Sequence, residues 1–104
     1  MIRVRYKTAD GLLIGFSLSG HAGAGEYGQD IVCAAVSSAA YMTANTITDI
    51  VGATADITVD EGYMDFTVTH RITESQEVLS GFRLHLQALA EQYPKRIQLL
   101  NSEV

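Results

Sequence analysis

One cysteine and seven basic residues are all that 104 residues carry of those types, and each scarcity excludes something. A single thiol, Cys33, cannot close an intrachain disulfide, and a secreted domain of this size usually relies on one. Seven Lys and Arg against twelve Asp and Glu leave a net charge of -5 and a sequence pI near 4.9. Nucleic-acid affinity comes mainly from cations that neutralise phosphates, so nucleic acid is not the expected partner. An acidic surface suits a cationic partner instead. The start, Met1-Ile2-Arg3-Val4-Arg5-Tyr6-Lys7, alternates apolar and basic residues and has no apolar signal core. No stretch reads as long enough to span a bilayer, and there is no repeat, low-complexity tract or linker. The expected setting is the reducing cytoplasm, away from membranes, with Cys33 a free thiol.

What is present is an ordinary folded composition, 47% hydrophobic and 18% charged, in a length that makes residues 1–104 one domain. Ile2, Val4 and Tyr6 alternate with Arg3, Arg5 and Lys7, which predicts a strand. Ala9-Asp10-Gly11 marks a turn. A second strand follows, with Leu12, Ile14, Phe16 and Leu18 on one face and Gly15, Ser17 and Ser19 on the other. Residues 20–29 read as a glycine-rich loop. From Asp30 the period becomes helical, with Val32, Val36, Ala39, Thr43, Ile47 and Ile50 on one side and Gly52 closing the helix. Asp56-Ile57-Thr58-Val59 and Tyr63-Met64-Asp65-Phe66-Thr67-Val68 form a hairpin around Glu61-Gly62. Thr73-Glu74-Ser75-Gln76 has the form of a capping box. It opens a helix striped with Leu79, Phe82, Leu86, Leu89 and Tyr93, which Pro94 stops. Ile97-Gln98-Leu99-Leu100 is a candidate final edge strand. The order ββαββα predicts an α+β fold, a mostly antiparallel sheet with both helices on one face.

The chemistry gathers where the second strand gives way to the first helix. Cys33, placed near the helix start, faces unpaired backbone N–H groups and the positive end of the helix dipole, which favour a thiolate. The same donors suit an oxyanion. His21, twelve residues upstream, is within reach across the loop, and a histidine beside a cysteine activates it and later protonates the leaving group. Asp30 is placed to cap the helix, to orient His21, or both. Ser37 lies one turn beyond Cys33 on the same face, where it can bond the sulfur or nearby backbone. Taken alone, each has an ordinary structural role: a small buried cysteine, a structural histidine, a capping aspartate, a packing serine. Their conjunction favours chemistry. Gly23-Ala24-Gly25-Glu26-Tyr27-Gly28 matches G-x-G-x-x-G, but the chain lacks repeated βαβ units, and Glu26 and Asp30 would confront phosphates. Those glycines suit a flap over an extended peptide, with Gly20, Tyr27 and Gly28 as loop or substrate contacts. His70 and His85 have no ligand spacing to Cys33, so no metal is expected.

Gly20-His21-Ala22, a glycine-rich loop, then Asp30-x-Val32-Cys33-Ala34-Ala35-Val36-Ser37 resembles the signature of the bacterial ribosomal-processing cysteine proteases (Prp). The likeness runs along essentially the whole chain. It implies an endopeptidase, homodimeric and without cofactor, that removes a short N-terminal extension from a basic large-subunit ribosomal protein. It makes Cys33 the nucleophile, His21 the general base, and Asp30 and Ser37 supporting residues. The competing reading is a non-catalytic dimeric module that clamps a basic peptide or a ribosomal-protein tail, with Cys33 in the core. A thiol redox sensor ranks last, because no second cysteine exists to resolve it.

Overall fold

The structure, a computed structural model, describes residues 1–20 and 27–104, with residues 27–30 described by their backbone alone. The elements are β1 (Ile2–Ala9), β2 (Leu12–Ser19), α1 (Tyr27–Asn45) running into a π-helical turn (Thr46–Val51), β3 (Thr54–Asp60), β4 (Tyr63–His70), a 3-10 turn (Thr73–Ser75), α2 (Gln76–Gln92) and β5 (Ile97–Glu103). The five strands make one sheet in the order β3-β4-β2-β1-β5. Three pairings are antiparallel, as expected, whereas β5 runs parallel to β1 because α2 carries the chain back across the sheet.

The strand rows explain the core. Val4, Leu18 and Met64 stand side by side, as do Tyr6, Phe16 and Phe66, and all six are buried. Phe16 stacks on Phe66 at 5.4 Å and meets Phe82 of α2 at 4.3 Å, so this row is where sheet and helix interlock. Burial pushes the Tyr6 hydroxyl up to about 12, with the Arg83 guanidinium working against it. Arg3 and Arg5 are exposed on the opposite face. There Lys7 reaches over β2 to an ion pair with Asp65 and a 2.7 Å bond to Thr67 Oγ1. It passes Gly15, which must be glycine because an added Cβ would lie 2.0 Å from the Phe66 carbonyl oxygen.

Four expectations need correction. The inward set on β2 is Leu13, Phe16 and Leu18, not Leu12, Ile14, Phe16 and Leu18. Lys7 pairs with Gly15 but Thr8 with Leu13, so Ile14 is the extra residue of a bulge and the alternation changes phase there. Gln76 closes no capping box. Its carboxamide accepts from the Leu13 N–H at 2.9 Å and donates to the Leu13 carbonyl at 2.7 Å, standing in for a strand beyond the reach of β4. Ile50 is 80% exposed, because the wider π-turn rotates it off the buried stripe. Finally, the segment Ile31–Val51 is, by length and composition alone, long and apolar enough to cross a membrane (21 residues, mean hydropathy 1.2). Its Val32, Val36, Ala40, Ala44 and Ile47 are buried in the protein core, whereas Ile31, Met42 and Ile50 are exposed. Gly52 ends this stretch as expected, left-handed at φ 78, with its N–H on the Ile47 carbonyl.

Candidate active site

α1 presents Cys33, Ser37 and Tyr41 at four-residue intervals, hence on one face. All three line an open cavity of about 240 Å³ between α1 and the near end of the sheet. Cys33 is half-buried and packs by one side against the core, while its other side reaches the cavity. Ile2, Leu18, Val36, Val59 and Met64 make the wall largely apolar, and Tyr63 and Asp60 complete it from the β3–β4 turn.

Two backbone devices set this end of the sheet. Gly20 takes φ 91, and a Cβ there would lie 2.4 Å from the Met1 carbonyl oxygen, so β2 can leave the sheet at that point only through a glycine. Its N–H donates to the Gly62 carbonyl at 3.0 Å, which fastens the end of β2 to the β3–β4 turn. The opening beside Cys33 is therefore framed by backbone bonds rather than by side chains alone.

The expected site residues fall into three groups. Cys33, Ser37 and Gly20 are brought to one cavity. Tyr27, Gly28 and Asp30 belong to the first turn of α1, and their side chains lie outside the described residues. His21 and the loop to residue 26 also lie outside the described residues. One correction concerns Cys33 itself. α1 begins at Tyr27 rather than Asp30, so Cys33 is its seventh residue, past the four whose N–H groups lack helical acceptors. The first-turn donors and the strongest dipole field sit at 27–30, so the thiol lies near the helix start but one turn beyond them. Among the described residues no cluster of His, Cys, Asp and Glu could hold a metal ion.

Sequence reasoning missed Tyr41, Val59, Asp60, Tyr63 and Met64. Tyr41 was within reach, since it continues the Cys33, Ser37 spacing by four. The others become neighbours of Cys33 only because β4 pairs with β2, a long-range fact with no local signal.

A family model described as cysteine protease Prp matches residues 1–98. A ribosomal processing cysteine protease Prp from Staphylococcus aureus is 34% identical over 85 residues, covering 79% of this chain and 80% of that one. One from Bacillus subtilis is 26% identical over 94 residues, 84% of each. Among solved structures, the essential ribosomal processing protease Prp from S. aureus in complex with a substrate peptide is 30% identical. It matches with a TM-score of 0.88 over 98% of this chain and 100% of that one. The same protein with a covalently linked product peptide, 31% identical, matches at 0.87 with the same coverage. With a lone half-buried thiol in an open cavity, a fold shared end to end and a family match over nearly every residue, this chain belongs to the cysteine protease Prp family.

Proposed function

We propose that this chain is a cytoplasmic, homodimeric cysteine endopeptidase that removes a short N-terminal extension from a large-subunit ribosomal protein. Cys33 is the nucleophile and His21 the general acid and base. The Cys33 thiolate attacks the scissile carbonyl, and the tetrahedral adduct collapses as His21 protonates the departing amine. A water, deprotonated by His21, then attacks the thioester and releases the carboxylate and the thiol. Asp30 and Ser37 support the pair, and no cofactor enters any step. The observation that carries the reading is Cys33 in the wall of an open, mostly apolar cavity, rather than enclosed in the core. A net charge of -5 favours a basic substrate. The structures of the S. aureus relative with a substrate peptide and with a covalently linked product peptide support a peptide as ligand.

The test is incubation of the chain with a large-subunit ribosomal protein that carries an N-terminal extension, read by intact mass. The expected result is one cut that frees the extension, abolished in Cys33→Ser while that variant still binds the precursor. A Cys33→Ser variant indistinguishable from the unaltered chain would instead favour a binding module. Sedimentation analysis of the same sample tests the dimer.

A further inference from the structure

The cavity beside Cys33 is apolar along its walls and charged at one point of its rim. Among the described residues that line it, Asp60 is the one carboxylate side chain, and no lysine or arginine lies beside it. Its position is fixed twice over. Asp60 Oδ1 accepts the Glu61 N–H at 2.7 Å, which orients the carboxylate. The turn that carries it is fastened to β2 by the bond from Gly20 to Gly62. The ion pairs among the described residues are Lys7 with Asp65 and Arg71 with Glu74, so no described cation of the protein neutralises Asp60.

From this geometry we infer that Asp60 reads the charge of the bound peptide, selecting a lysine or arginine next to the apolar residue that enters the cavity. This deepens the proposed peptidase reading and rests on it for the identity of the ligand. An apolar side chain gains by leaving water between Tyr41, Val59 and Met64, whereas a neighbouring cation at the rim meets an oriented carboxylate. Because Asp60 is exposed, the charge pair is worth the few-fold preference of a solvated ion pair rather than a large gain. The effect is on binding, so it acts through KM and leaves kcat unchanged.

The experiment uses acetylated decapeptides of alanine and serine that carry one leucine, with lysine or norleucine placed at each flanking position in turn. Binding is measured on Cys33→Ala, which cannot cleave, with Asp60 intact or as Asp60→Asn or Asp60→Glu. The expected result is one or two positions where lysine binds about threefold to fivefold tighter than norleucine. Asp60→Asn brings that ratio to one without changing the norleucine affinity, Asp60→Glu retains it, and 0.5 M salt erases it. A lysine preference that survives Asp60→Asn, or no preference at any position, overturns the inference. Cleavage of the same peptides by the chain with Cys33 intact is scored separately. Peptides bound with an Asp60-dependent preference but never cut would overturn the peptidase reading and leave Asp60 as the charge reader.

Discussion

The two hairpins, β1–β2 and β3–β4, have the same connectivity and opposite fates. In the first, Val4, Leu18, Tyr6 and Phe16 are all buried in the core. In the second, β4 is covered but β3 is not. Val59 continues the row of Val4, Leu18 and Met64, and Ile57 continues the row of Tyr6, Phe16 and Phe66. Yet the two are 53% and 49% exposed. The difference teaches where this fold keeps its stability and where it keeps its site. The inner rows hold the sheet together, and the β3–β4 turn, released from that duty, frames the cavity beside Cys33.

Substitutions along one row break the comparison most sharply. Phe16→Ala, which empties the middle of the aromatic stack, is expected to cost about 3–5 kcal/mol in urea unfolding. Ile57→Ala, at the far end of the same row, is expected to cost less than about 1 kcal/mol. Equal losses would mean that β3 is covered in solution. Next comes Gly15→Ala, which drives a methyl group into the Phe66 carbonyl and is expected to cost about 1–3 kcal/mol. Gly81→Ala serves as its counterpart, since a Cβ there meets nothing within 4 Å. It lies within α2 and is expected to stabilise by up to about 1 kcal/mol.

Gln76→Ala sharpens the picture at the bulge. It strips both partners from the Leu13 backbone and is expected to cost about 1–2 kcal/mol, with faster hydrogen exchange at the Leu13 amide. The smallest effect at neutral pH is that of Tyr6. Its folded-state pKa lies above the unfolded value of 10.0, so its contribution is complete below pH 10 and is lost as pH rises toward 12. Stability is expected to fall across that window by up to roughly 2 kcal/mol, a decline that Tyr6→Phe removes.

These particulars also show what the residues alone disclose. The strand of alternating Ile2, Val4 and Tyr6, the Asp10-Gly11 and Glu61-Gly62 turns, the Gly52 stop and the α2 stripe are local patterns, and local patterns were legible. Cys33, Ser37 and Gly20 share a cavity because a helical period and a strand end were both readable in the sequence. The bulge at Ile14 was not, since it changes the phase of a strand that still looks regular. Thr73 and Gln76 imitated a capping box because that motif is defined by spacing, while the partner of Gln76 is the backbone at Leu13, 63 residues away. The helix start misled for a related reason: Tyr27, Gly28 and Gln29 have loop-like composition but continue α1 toward its N-terminus.

The most direct test of the central claim, an activated Cys33–His21 pair, is the rate of Cys33 alkylation by iodoacetamide. It is followed by intact mass from pH 5.5 to 9 in the unaltered chain and in His21→Ala, with glutathione as the reference thiol. The account expects Cys33 to react faster than glutathione below pH 7 and His21→Ala to slow that reaction by about tenfold or more. A Cys33 that reacts no faster than glutathione, and equally fast with or without His21, would contradict it.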